Sequence, residues 1–179
     1  EKSNLKFSGI VKKNLVLLGM MAVGKSTLGK IVAKKLSLQF IDTDKNVENI
    51  NAMKIKDIFE LKGEKFFRAE EEKEVLKSLK KENCIIALGG GAFLNDRIRD
   101  SILKNSISIW LDADIKTLEK RVKWNERRPL LKKNNNYKMI KKIYLERKKI
   151  YKLAHHKIKC DKVNKSDLVE KIIALYEQQ

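Results

Sequence analysis

The chain has 179 residues, 42% of them hydrophobic, which suits one globular α/β domain spanning 1–179 and argues against a disordered chain. No apolar run reaches the ~18 residues of a membrane span, and the N-terminal EKSNLKFSGIVKKN lacks the uninterrupted apolar segment of a signal peptide, so the expectation is a cytoplasmic protein with no membrane partner. The formal net charge of +18 is carried mostly by lysine, scattered over every helical segment and mixed with glutamate, which reads as solvated faces and predicts no nucleic-acid partner.

The first predicted strand is 14–18, NLVLL, and the first helix is 25–36. Between them stands GMMAVGKST, in which Gly19-x4-Gly24-Lys25-Ser26 matches the phosphate-binding loop in its required strand-to-helix setting. Glycines permit a tight turn whose backbone N–H groups face an anion, and the helix aims its positive N-terminus at the same point. Lys25 supplies a point charge toward the outer phosphates and Ser26 a hydroxyl to Mg²⁺. The expected nucleotide-binding set is Gly19, Ala22, Val23, Gly24, Lys25, Ser26 and Thr27. Alanine at position 22 predicts a backbone that does not need positive φ there.

A second strand, 38–42, runs into Asp42-Thr43-Asp44. Strand alternation would put both aspartates on one side of the strand end. A cap for a helix over 45–51 explains one of them and leaves the other. Helices follow at 55–61 and 64–82, the second opened by Phe67-Arg68-Ala69-Glu70-Glu71. The third strand, 84–88, is followed directly by Gly89-Gly90-Gly91, a triplet that favours close ligand approach over a simple turn.

The second half continues with a helix at 95–104, a strand at 106–111 and a helix at 114–124. The stretch 125–136, NERRPLLKKNNN, carries the sole proline, Pro129, and reads as a mobile lid. A helix at 137–154, a weaker strand at 157–160 and a helix at 166–177 complete the chain. Asn164-Lys165-Ser166-Asp167 spells the guanine-reading pattern of GTPases, but no D-x-x-G stands between it and the phosphate loop. A cap from Asn164 or Ser166 on the last helix is the plainer account. His155 and His156, at a predicted helix end, read as favourable dipole placement. Cys84 and Cys160 have no metal-ligand spacing or disulfide framework and read as reduced, buried thiols. Five strands with helical crossovers predict a doubly wound, five-stranded parallel sheet with helices on both faces, the P-loop kinase fold.

Where lysine is the default cation, the seven arginines are the better candidates for planar, bidentate anion binding. FIDTD, FRAEE, the GGG turn and RPLL, in this order and spacing, resemble the shikimate kinase family over about residues 13–179. The resemblance implies ATP-dependent phosphorylation of the shikimate 3-hydroxyl, giving shikimate 3-phosphate and ADP on the route to chorismate and the aromatic amino acids. It implies that Asp44 binds ring hydroxyls and acts as base, and that Asp42 helps hold Mg²⁺ with Ser26. It gives Arg68 and Arg147 to the shikimate carboxylate, Glu71 to the orientation of Arg68, and Gly89, Gly90 and Gly91 to substrate contact. Arg128 of the lid would meet the transferring phosphate beside Lys25, Arg121 would lie near the adenine, and Phe59 and Phe67 would wall the substrate. Arg97 and Arg99 look like a solvated helix face, and Arg127 has no assigned role. A monomer is expected. Alternatives are a kinase for gluconate or a nucleoside monophosphate, and a nucleotide-gated nucleic-acid binder motivated by the charge.

Overall fold

A computed structural model describes residues 12–123 and 136–179. Five strands, β1 (Asn14–Leu18), β2 (Gln39–Asp42), β3 (Cys84–Ala87), β4 (Ser106–Asp112) and β5 (His156–Lys159), form one parallel sheet in the order β2-β3-β1-β4-β5. Every residue of β1 and β3 is buried, which is why these strands read as unbroken apolar runs rather than alternating ones. The sheet register sets Leu15 beside Ile85 and Ile107, and Asp42 beside Ala87. The carboxyl ends of β1, β2 and β3 therefore emerge together, where a doubly wound sheet binds its ligands.

The helices are α1 (Lys25–Leu36), α2 (Thr43–Asn51), α3 (Ile55–Lys62), α4 (Glu64–Leu79), α5 (Asp96–Asn105), α6 (Ile115–Lys123), α7 (Asn136–Tyr151) and α8 (Lys165–Glu177). The α2 helix begins with no intervening loop, because the Asp42 side chain accepts from Lys45 N and caps it. Asp44 is thus a first-turn helical residue, and strand alternation with Asp42 does not describe its position. Arg68 lies in the second turn of α4 rather than opening it. Asn164 caps α8 by accepting from Asp167 N at 2.8 Å, so the NKSD string has the capping role expected of it.

Two packed clusters divide the core. The larger joins both faces of the sheet; the smaller is Val47, Ile58 and Phe67, one each from α2, α3 and α4, with Phe59 and Phe66 against it. Burying each of those three side chains is worth about 1.5–3 kcal/mol. That small cluster fixes α4, and with it Arg68 and Glu71, over the end of β2.

The solvated helix face expected of Arg97 and Arg99 holds for Arg97, which is exposed, and not for Arg99; the dipole placement expected of His155 does not hold either. Arg99 is no solvated side chain: its Nη1 donates to the carbonyls of Phe93 (3.0 Å) and Leu94 (3.3 Å), ending the short 3₁₀ turn Ala92–Leu94. Arg97 pairs with Glu72 at 2.8 Å. His155 lies beyond α7 and is held by partners rather than by a helix dipole. Ser108 N donates to its Nδ1 at 3.0 Å, which leaves Nε2 to carry the proton toward Leu103 O at 3.1 Å. Cys84 and Cys160 are both buried free thiols, and burial pushes the Cys160 thiol up to about 11. Among the described residues no helix is long and apolar enough to cross a membrane. The segment expected to be a lid, with Arg127, Arg128 and Pro129, lies outside the described residues apart from Asn136, which starts α7.

Candidate active site

The loop between β1 and α1 is shaped by three residues with positive φ: Gly19 (142°), Ala22 (64°) and Gly24 (111°). Gly19 is required twice over, since a Cβ there would also overlap the Leu111 carbonyl oxygen. Ala22 contradicts the expectation from its side chain. It adopts the left-handed conformation that only glycine enters freely, and that strain is held by the loop around it. Part of the holding is visible: Arg121 on α6 donates through Nη1 to the Val23 carbonyl at 2.9 Å and to the Ala22 carbonyl at 3.3 Å. Val23 N closes on Met20 O at 3.3 Å, and Thr27 is exposed on the first turn of α1. Lys25 Nζ donates to Gly19 O at 2.6 Å and Met20 O at 3.4 Å. Ser26 Oγ donates to Asp42 Oδ2 at 2.8 Å, so a hydroxyl and a carboxylate from different elements meet at the loop. Hard oxygen donors in that combination fit a Mg²⁺ site.

Opposite this loop, the GGG turn lies under four polar side chains. A Cβ on Gly89 would overlap Asp44 Oδ1 and come within 3.1 Å of Glu71 Oε2. On Gly90 it would lie 2.9 Å from Arg147 Nη1, and on Gly91 2.6 and 2.7 Å from the two terminal nitrogens of Arg68. None of the three glycines has positive φ, so the triplet is needed for space rather than for conformation. The turn also abuts the phosphate loop: the Gly90 Cβ position is 3.8 Å from Gly19 O and 3.9 Å from Met21 N.

Arg68 pairs with Glu71 at 2.9 Å and with Glu64 at 3.5 Å, and its guanidinium lies 5.3 Å from the Phe67 ring centroid. Phe67 in turn packs on Phe59, with centroids 4.9 Å apart. Glu71 is only 2% exposed, and burial raises its carboxyl while Arg68 opposes the rise. Asp44 is pushed up to about 6, first by burial and next by the Glu71 charge, against the pull of Lys25 and Arg68. Its Oδ1 is buried and has no hydrogen-bond partner among the described residues. An acceptor hydroxyl placed there would supply the missing donor.

Several contributors carry little sequence signal. Thr43, between the two aspartates, is completely buried; its hydroxyl donates to Ala87 O (3.4 Å) and accepts from Gly89 N (3.2 Å), tying α2 to the turn. Asp161, just past β5, accepts from Asp114 N at 3.0 Å and Thr117 Oγ1 at 3.0 Å, fixing the start of the helix that carries Arg121. Tyr151 reaches the GGG turn from α7, donating to Gly90 O at 2.5 Å. A polar residue between two aspartates, or an aspartate just past a strand, is an ordinary sequence event, and only the fold brings these groups to the site; the spacing of Arg147 and Tyr151 is one that the family resemblance carries.

A phosphate loop beneath a 2-3-1-4-5 parallel sheet, faced across a glycine turn by a carboxylate and two guanidiniums, defines a small P-loop kinase whose acceptor is itself an anion. A family model described as "Shikimate kinase" matches residues 21–177. The shikimate kinase of Sulfurihydrogenibium sp. (strain YO3AOP1) is 42% identical over 161 residues, 90% of this chain and 96% of that one. The solved shikimate kinase from Acinetobacter baumannii, in complex with shikimate, superimposes with a TM-score of 0.89 at 28% identity, covering 93% of this chain and 94% of that one. The enzyme from Aquifex aeolicus gives 0.80 at 32% identity, covering 92% and 96%. The chain belongs to the shikimate kinase family: it is a phosphotransferase with an alcohol acceptor that uses ATP, in aromatic amino acid biosynthesis.

Proposed function

We propose that this chain transfers the γ-phosphoryl group of ATP to the 3-hydroxyl of shikimate, with shikimate bound across the GGG turn. The observation that carries the reading is the triplet itself, where three successive Cα positions are faced by Asp44, Arg147 and Arg68. A small carboxylated triol asks for this set: guanidiniums for the carboxylate and a carboxylate for the hydroxyls. The shikimate bound by the Acinetobacter baumannii enzyme supports the choice of acceptor.

In this reading Asp44 Oδ1 accepts the proton as the hydroxyl oxygen attacks the γ-phosphorus, and the bond from that phosphorus to the bridging oxygen of ADP breaks. Arg68 and Arg147 hold the carboxylate bidentately, and Glu71 keeps Arg68 turned toward it. The phosphates lie on the loop Gly19–Thr27, where Lys25 offsets their charge; Arg121 stands beside that loop, on the nucleotide side. Ser26 and Asp42 would hold Mg²⁺, which supplies charge neutralisation at the phosphates when bound. Arg128 keeps the role that the family resemblance gives it, meeting the transferring phosphoryl group. The working unit is a monomer, one chain contributing every residue named.

The test is a coupled ADP-release assay with shikimate, gluconate and CMP as acceptors, with the product read by phosphorus–proton NMR correlation. Shikimate-dependent turnover with phosphorus coupled to the proton at carbon 3 is expected. Coupling at another ring carbon, or faster turnover with gluconate, overturns the assignment.

A further inference from the structure

Tyr151 has no role in the chemistry above, yet it is the largest fully buried side chain among the described residues, with 0% of its surface exposed. Its ring packs against Trp110 of β4, centroids 5.8 Å apart and planes inclined at 45°. Packing explains the ring but not the hydroxyl, which a purely apolar role would omit. That hydroxyl donates to the Gly90 carbonyl at 2.5 Å. The Arg147 guanidinium lies against the same oxygen and offsets part of the rise that burial imposes on the tyrosine. Arg147 stands one helical turn earlier on α7, is only 8% exposed, and brings Nη1 over the Cα of the same Gly90. One hydroxyl thus joins the middle of the GGG turn to the arginine that faces it.

We propose that the Tyr151 hydroxyl is a positioning group for acceptor recognition, locking the Gly90 carbonyl and the Arg147 guanidinium to each other so that Arg147 presents its fork to the acceptor carboxylate. The inference rests on the reading of Arg147 as a carboxylate partner. A long arginine side chain has several rotamers of similar energy, and a bidentate pair is strong only when the fork is already aimed. A hydroxyl beside the guanidinium, fixed on the Gly90 carbonyl, favours one of those rotamers before substrate arrives. Its donation to Gly90 keeps the turn close enough for the pairing to persist.

Tyr151→Phe keeps the ring and removes the hydroxyl. The informative quantity is the kcat/KM for shikimate divided by that for the analogue bearing a hydroxymethyl group in place of the carboxylate. About a tenfold fall in this ratio is expected in Tyr151→Phe, with the KM for ATP within twofold of the parent. A structural role alone would lower both activities together and leave the ratio unchanged, and that result overturns the proposal. Arg147→Lys is measured in parallel. If the ratio falls there but not in Tyr151→Phe, the carboxylate reading stands and the positioning role is lost. If it does not move in Arg147→Lys, the carboxylate reading fails and this proposal with it.

Discussion

Asp44 is held at a cost. Burial and the neighbouring Glu71 raise its carboxyl from 3.8 to about 6, so at neutral pH the folded protein carries a carboxylate that is less favourable there than in the unfolded chain. A carboxylate raised on folding costs stability above its folded value and costs nothing below its unfolded value, so the burden grows as pH rises from about 4 to about 6. Asp44→Asn removes that charge. It should raise the melting temperature of the ligand-free protein by roughly 2–6 °C at pH 7.5, with the gain vanishing toward pH 4. The same variant should bind ATP and transfer no phosphate. A melting temperature that falls at pH 7.5, or a gain that persists at pH 4, would show that the Asp44 environment is not the strained one described. Stability spent at a reacting group is the usual sign that function set the residue.

Among the elements, the phosphate loop holds the least expected backbone. Ala22 at φ 64° bears a left-handed conformation without the glycine that eases it, and Arg121 ties the carbonyls of Ala22 and Val23. Ala22→Gly should relieve more strain than it adds in chain entropy, raising the melting temperature by roughly 1–3 °C in thermal denaturation. A drop would mean that packing of the methyl outweighs the strain. Nothing in the sequence announces this conformation, because the residue that would flag it is the one missing. The rest of the loop was legible, since strand, glycines, lysine and helix each have one physical use there. Strand and helix runs were legible for a similar reason: buried parallel strands are continuous apolar stretches, and α1 begins where the motif ends. The α2 helix was harder to see, being nine mostly polar residues whose cap is the last residue of a strand. His155 and Arg99 were misread because their partners come from other elements, 47 residues away at Ser108 for the histidine. The GGG turn was read as a place of close approach, and negative φ at all three positions agrees with space rather than turn geometry as the reason.

At the scale of the whole molecule the charge comes back into play. A chain of net charge +18 surrounds a site whose two ligands, a nucleoside triphosphate and a carboxylate, are both anions. The lysines need not touch either ligand to matter, because a field of one sign raises the local concentration of opposite ions and speeds encounter. Raising sodium chloride from 50 to 300 mM should increase the KM for both substrates by about two- to fivefold and leave kcat within a factor of two. Steady-state kinetics at fixed free magnesium would check this. A salt-independent KM would leave the lysine excess without a part in catalysis.

Codons 89, 90 and 91 are adjacent in the gene, yet each writes its glycine against a different partner. A missense change to alanine at the first would press on Asp44, the proposed proton acceptor, at the second on Arg147, and at the third on Arg68. Three neighbouring alleles of nearly identical bulk should therefore yield three separable lesions, one in turnover and two in acceptor affinity. A short stretch of the genetic map would then resolve the chemical step from the recognition step without altering any side chain that performs either.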